Sequence, residues 1–211
     1  MKIKVCGLKE TENIKAVAAL QPDYIGFIFY PRSPRYNPEL SAEALKSLPL
    51  NIKKVGVFVN AGTEDVKEKI AQYGLDVVQL HGSESPEECA VLKSEAEVWK
   101  AFGVDENFDF ANLEAYKGAV DYFLFDTKTK EHGGSGRIFD WNILENYRLD
   151  VPFFLSGGLS PENIKNVKEL KHPQFFGVDL NSRFETEPGI KNTEQLKQAF
   201  AILKQTAEHE I

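Results

Sequence analysis

Residues 4–8 read KVCGL, so the first apolar run of the chain closes on a thiol followed by a glycine. A cysteine at a strand end can be ionised and used, although free cysteine also packs as a small hydrophobe among the most buried residue types. Polar residues end six of the seven other apolar runs too: the stretch after Phe29, Asn60, His81, Asp126, Ser156 to Gly158, and Asp179 to Asn181. In LSGGLSPENI, from Leu155, two glycines precede a Ser-Pro helix opening. Backbone N–H groups there can approach an anion with no side chain in the way, and a helix N-terminus favours negative charge. The loop YPRSPRYNPE, from Tyr30, holds three prolines and two arginines. Arg35 in it can fork onto a carboxylate; the bland alternative is a solvated surface loop. Directly after Asp126, KTKEHGGSGR is polar and glycine-rich, has no pattern that could pack, and reads as a mobile lid over residues 128–137, with His132 in it solvent-exposed rather than catalytic.

The elements that must position these residues alternate. Eight β-branched or aromatic runs are strand candidates: IKVCGL, YIGFIF, KVGVFV, VVQLHG, VWKAFG, YFLFDT, PFFLSGG and FFGVDL. Amphipathic segments lie between them. In TEDVKEKIAQY, Val66 and Ile70 are one turn apart, and in TEQLKQAFAIL, Leu196, Phe200 and Leu203 share a face. Helix starts carry their signals: Ser85-Pro86 with Glu88 three residues after the serine, and Ser160-Pro161 in SPEN. Strand then helix, eight times at a step of roughly 25 residues without hairpin signals, implies parallel strands and helical crossovers. Eight near-equal units ending on a helix favour a closed (β/α)8 TIM barrel, a single domain over 1–211, above a doubly wound sheet. In such a barrel the active site lies at the C-terminal strand ends. That puts Cys6 and Asp126 on opposite sides of one mouth, suited to a sugar-sized substrate. It also makes the glycines after strand seven and Asn181-Ser182 after strand eight the two halves of a phosphate cradle.

Composition narrows the classes. With 211 residues, 42% hydrophobic and 27% charged, the chain is that of an ordinary globular protein. No apolar stretch is long enough to span a membrane, the N-terminus is too soon polar for a secretory signal, and a cytoplasmic location is expected. Two cysteines far apart argue against a disulfide framework and a zinc site, and Cys89, inside a helical pattern, reads as packing. A net charge of −7 disfavours nucleic acid or an anionic membrane as partner, while a few local cations can still hold a small anion.

Taken in order, KVCGL, GFIFYPRSPRY, GVFVN, VQLHG, FDT with GGSG and FDW, LSGGLSPEN and GVDLNSRFETEPGIK resemble the successive motifs of the phosphoribosylanthranilate isomerase family, across essentially the whole chain. The resemblance implies a (β/α)8 barrel acting in tryptophan biosynthesis as an intramolecular oxidoreductase, an aldose–ketose isomerase. It would carry out the Amadori rearrangement of N-(5'-phosphoribosyl)anthranilate to 1-(2-carboxyphenylamino)-1-deoxyribulose 5-phosphate. It implies no cofactor and no metal, a small-molecule substrate as partner, and a monomer or weak homodimer. Carried over by motif, Cys6 is the general base, Asp126 the general acid, Arg35 the contact to the anthranilate carboxylate, and Gly157 and Gly158 phosphate ligands. In the strand-eight block Asp179 and Ser182 match. Asn181, Arg183 and Phe184 depart from the family's VDVSSGVE, so Arg183 stands where a glycine is usual and would be strained if a left-handed backbone were required.

The residue types suit that chemistry. A partly buried carboxyl with a raised pKa can protonate the ring oxygen at neutral pH, and a thiolate can take the C2 proton of the resulting Schiff base. A free thiol titrates near ~8.5, so activity is expected to rise with pH through its titration. His81 reads as a residue that orients its neighbours, and Asp179 as a carboxylate for a substrate hydroxyl or the anilino nitrogen, with helix capping as its alternative. Three other readings remain open at this stage. A metal-dependent sugar-phosphate epimerase would need more His and Asp ligands than His81 and two aspartates. A Schiff-base lyase would need Lys100 inside the barrel. A degenerate barrel would bind sugar phosphate without turnover.

Overall fold

Side chains alternate across a strand, so eight runs with one face turned inward and the other turned to a helix can close on themselves. In a computed structural model, which describes residues 1–127 and 140–205, they do. Strands β1 (Lys2–Cys6), β2 (Tyr24–Ile28), β3 (Lys53–Phe58), β4 (Val77–Leu80), β5 (Glu97–Val104), β6 (Tyr122–Thr127), β7 (Phe153–Leu155) and β8 (Phe175–Leu180) pair in parallel in sequence order. Pairing of β1 with β8, Lys4 opposite Asp179, closes the barrel. The expected lid over 128–137, with His132, lies outside the described residues.

Helices α1 (Thr11–Ala18), α2 (Ala42–Lys46), α3 (Thr63–Tyr73), α4 (Pro86–Leu92) and α5 (Thr193–Lys204) cross over the outside. The Ser85 signal holds: its side chain accepts from the Glu88 N–H while Glu88 accepts from the Ser85 N–H, a complete capping box. Leu196, Phe200 and Leu203 of α5 are buried together.

Eight α-helices were expected, and three of those segments are instead 3-10 helices, at Phe110–Tyr116, Trp141–Asn146 and Ile164–Glu169. Their apolar residues recur every third position: Phe110, Leu113 and Tyr116; Trp141, Leu144 and Tyr147; Ile164, Val167 and Leu170. Three residues per turn stacks such a file on one face, which a 3.6-residue turn would smear round the helix. The SPEN segment is accordingly a turn, in which Asn163 Oδ1 accepts the Ser160 N–H at 2.9 Å. A short antiparallel pair, β9 (Glu185–Glu187) with β10 (Ile190–Lys191), follows β8 and was not anticipated.

The barrel's lower interior is filled by aromatic rings, Tyr24, Trp99 and Phe154, whose centroids lie 4.2–5.5 Å apart. Lys4 sits above them, its Nζ 5.9 Å from the Trp99 centroid. Residues two further along each strand face the mouth: Cys6 beyond Lys4, His81 beyond Gln79, Asp126 beyond Leu124, Ser156 beyond Phe154 and Asn181 beyond Asp179. Trp99 and Ala101 occupy the inward face of β5, so Lys100 points the other way, between β5 and the outer layer.

Candidate active site

A cleft opens at the C-terminal ends of the strands, and Cys6, Arg35, His81, Asp126, Gly157, Gly158, Asp179, Asn181 and Ser182 all line it. Nine residues singled out from sequence, spread over 177 positions, thus meet in one place. Asn60, also at a strand end, does not. It adopts a left-handed backbone, φ 52°, and its Oδ1 accepts from the Ser83 N–H and hydroxyl, so it holds a turn.

The thiol side of the cleft rests on a buried ion pair. Lys4 Nζ lies 2.8 Å from Asp179 Oδ2 and donates to Gln79 Oε1 at 2.7 Å. Burial would drive Lys4 towards neutrality, but Asp179 and Cys6 more than offset it and its pKa is raised. Cys6 is buried, and burial pushes its thiol pKa up; the Lys4 ammonium is the strongest influence in the other direction, with Lys191 adding to it and Asp179 opposing. Gly26 makes this crowding possible, since a Cβ there would fall 2.7 Å from Cys6 Sγ and 3.2 Å from Lys4 Cε.

From the same lysine a polar chain crosses to the carboxyl side. Lys4 can only donate, so Gln79 must turn its oxygen to Lys4 and its Nε2 to His81 Nδ1, 3.0 Å away. Neutral His81 then carries its proton on Nε2, 3.6 Å from Asp126 Oδ2. Asp126 is buried at the end of β6, and burial, aided by the Asp179 charge, raises its pKa to about 7. Its Oδ1 accepts the Thr127 N–H at 2.8 Å, which works in the opposite direction.

Two glycines after β7 have left-handed backbones, φ 82° at Gly157 and 66° at Gly158. A Cβ at Gly157 would fall 2.4 Å from the Thr127 nitrogen and 2.5 Å from Asp126 Oδ1, so this loop packs against the acidic residue itself. Asn163 Nδ2 ties the Gly158 carbonyl at 2.8 Å. On the β8 side, Ser182–Phe184 form a 3-10 turn, and Phe184 is buried. Among the described non-glycine residues only Gln21 and Asn60 have positive φ, so Arg183 fits without left-handed strain. It is exposed, and its charge reaches Glu162.

Arg35 enters from the loop after β2. Its Nε and Nη2 bond Glu185, at 2.9 Å to Oε1 and 2.7 Å to Oε2. Lys191 Nζ bonds the same carboxylate at 2.5 Å and Asn181 Oδ1 at 2.7 Å. The glycine of KVCGL is explained here: a Cβ on Gly7, φ 82°, would meet Arg35 Cδ at 2.6 Å and Asn181 Oδ1 at 2.9 Å. Sequence reasoning missed Lys4, Gln79, Glu185 and Lys191. Lys4 carried a signal, a cation two residues before the inward Cys6 in an otherwise apolar strand; the others bear none without their partners.

Lys100 is buried outside the barrel wall, bonded to the Gly82 carbonyl at 2.8 Å and paired with Glu84 at 3.2 Å. It does not line the cleft, which removes the ground for a Schiff-base lyase. Among the described residues no three His, Cys, Asp or Glu side chains cluster to hold a metal ion. Cys89 packs, fully buried in α4, with its thiol pushed up to about 12 by burial. Among the described residues, no helix is long and apolar enough to cross a membrane.

Against known proteins, residues 3–201 match the family model for N-(5'phosphoribosyl)anthranilate (PRA) isomerase. The N-(5'-phosphoribosyl)anthranilate isomerase of Parabacteroides distasonis is 50% identical over 200 residues, 93% of this chain and 90% of that one. The crystal structure of phosphoribosyl anthranilate isomerase from Thermotoga maritima superposes with a TM-score of 0.85 at 35% identity, over 97% of this chain and 98% of that one. A further phosphoribosyl anthranilate isomerase structure, in complex with reduced 1-(o-carboxyphenylamino)-1-deoxyribulose 5-phosphate, superposes with a TM-score of 0.82 at 31% identity, over 97% and 98% of the two chains.

Proposed function

Since the chain belongs to the N-(5'-phosphoribosyl)anthranilate isomerase family, an isomerase of tryptophan biosynthesis, we propose that its rearrangement is carried by Asp126 as general acid and Cys6 as general base. The observation that carries this assignment is that the two side chains, from strands one and six, line one cleft, with the Asp126 carboxyl held near neutrality and a buried lysine beside the thiol.

With its pKa near 7, Asp126 is largely protonated up to neutrality and can deliver that proton to the ring oxygen of the aminosugar. Ring opening leaves a protonated Schiff base between C1 and the anilino nitrogen. The positive nitrogen acidifies C2, and Cys6 as thiolate removes the C2 proton. The enolamine so formed tautomerises to the ketone. Lys4 offsets part of the cost of ionising the buried thiol, and His81, its Nδ1 held by Gln79, places its Nε2 3.6 Å from the Asp126 carboxyl.

Asp179 suits the substrate's donors. Its Oδ2 is taken by Lys4, but its buried Oδ1 has no hydrogen-bond partner among the described residues. A buried acceptor left unpaired is costly, and a ligand hydroxyl or anilino N–H would satisfy it. Gly157, Gly158, Asn181 and Ser182 form the phosphate end, where left-handed glycines bring backbone N–H groups close to an anion. Arg35 receives the anthranilate carboxylate on the guanidinium edge not used by Glu185. The relative's complex with the reduced product supports this choice of ligand.

The test is to mix the purified protein with freshly made phosphoribosylanthranilate and follow the loss of its fluorescence. Cys6→Ala and Asp126→Ala should each lose ~10²-fold or more. Near-normal turnover in either variant overturns that residue's assignment, and binding without turnover in the wild type leaves only a sugar-phosphate binder.

A further inference from the structure

Arg35 does not wait in solvent for its ligand. Its guanidinium is held in a plane by Glu185, 150 residues away, through a two-bond fork, and only 11% of the side chain and 4% of its partner's are exposed. A guanidinium offers five N–H donors on two usable edges. The Glu185 fork consumes the Nε edge and leaves Nη1 out of the pair. A bare carboxylate beside Arg35 would cancel its charge, but Lys191 shares that carboxylate at 2.5 Å. One anion between two cations leaves the cluster net positive. Lys191 also holds Asn181, which faces the phosphate end of the cleft.

We propose that Glu185 is a positioning residue that locks the Arg35 fork with one edge turned to the ligand, and so sets the site's preference for a 2-carboxyphenyl aminosugar over its phenyl counterpart. This rests on the assignment of Arg35 to the anthranilate carboxylate. Without the Glu185 brace, a long flexible side chain must be ordered at the expense of binding energy each time the carboxylate docks. The brace removes that cost only for ligands that carry the carboxylate. The effect therefore appears as discrimination between ligands.

The experiment measures dissociation constants for two probes, reduced 1-(o-carboxyphenylamino)-1-deoxyribulose 5-phosphate and the same compound lacking the carboxyl group. Wild type, Glu185→Gln and Arg35→Met are compared. Glu185→Gln should cut the preference for the carboxylated probe by ~10-fold or more, the scale of one charge-assisted bond, and leave affinity for the phenyl probe within about 2-fold. Retained preference in Glu185→Gln while Arg35→Met loses it overturns this inference alone. Equal loss of both probes also overturns it, since that marks a general structural role. Retained preference in Arg35→Met withdraws the Arg35 assignment and this inference together. Should Glu185→Gln fail to fold, Glu185→Asp keeps the charge but shortens the reach by one methylene, and an undiminished preference there overturns the inference equally.

Discussion

Lys4 and Asp179 form an ion pair of 2.8 Å inside the barrel, two residues below Cys6 on one strand and two below Asn181 on the other. The pair gives the buried thiol a neighbouring cation. Replacing Lys4 by Met should therefore raise the Cys6 pKa further, because burial then acts unopposed by its main cationic partner. Asp179→Asn should lower it, by removing an anion and freeing the ammonium. Alkylation by iodoacetamide against pH, in a Cys89→Ala background, reads both. At fixed pH below the titration Lys4→Met should react ~10-fold more slowly or worse. Equal titration curves in wild type and Lys4→Met would refute the influence.

The pH profile of kcat/KM follows from two shifted groups. Sequence reasoning expected activity to climb through the thiol's titration, but Asp126 titrates near 7 and burial lifts the thiol above its ordinary value. The form that the proposed roles require, thiolate with carboxylic acid, is then a minor one. The rate should rise to about pH 7, stay level, and fall only above the thiol's own pKa. In Asp126→Asn the small residual rate should climb continuously through the thiol titration. A wild-type profile that falls steeply from pH 7 to 8 would contradict this order.

On the proposed assignment, Asp126 also links catalysis to stability. Its folded-state pKa, about 7, lies above the ordinary carboxyl value of 3.8, so the native state binds more protons between those limits. Its stabilising share is complete below the lower limit and is lost as pH rises to about 7. Asp126→Asn should therefore melt higher than wild type at pH 8, by roughly a few kcal/mol in unfolding free energy, with little difference at pH 4. Thermal melts at the two pH values check it, and an equal or lower Tm at pH 8 would contradict it.

Gly157→Ala should damage both ends of the site at once. The added Cβ meets the Thr127 nitrogen at 2.4 Å and Asp126 Oδ1 at 2.5 Å on a backbone with φ 82°. Phosphate affinity and turnover should both fall, so KM rises and kcat drops, by ~10-fold or more each. A variant with normal kcat would show that the loop moves independently of the acid.

Lys100→Met separates structure from chemistry. Removing one partner of the buried Lys100–Glu84 pair leaves a charge uncompensated, at a cost of about 3 kcal/mol in denaturant unfolding. Turnover per folded molecule should stay within a few-fold, and borohydride should trap no substrate on this lysine. Abolished turnover in folded protein would reopen the Schiff-base reading.

Much of the site was legible because chemistry at a barrel mouth is written at strand ends. Cys6, His81, Asp126 and Asp179 each close or follow an apolar run, and a period-2 apolar run reads from local sequence alone. The 3-10 crossovers were missed, although their every-third spacing was present at Phe110, Leu113 and Tyr116, because a helix of seven residues shows too few turns to separate period 3 from 3.6. Lys100 was open because the phase of β5 could be set only by seeing Trp99 among the interior rings.

By itself the sequence determined the alternation of elements, the closure implied by eight of them, and the identity of the groups at the mouth, since these depend on residues near one another in the chain. Only the tertiary structure decided that Asp179 pairs with the Lys4 beside the thiol, that Glu185 forks onto Arg35, and that Gln79 links Lys4 to His81. Those pairings span up to 175 positions, as between Lys4 and Asp179. Charges so distant in sequence act on each other only once closure of the barrel has brought them within a few ångströms and out of water.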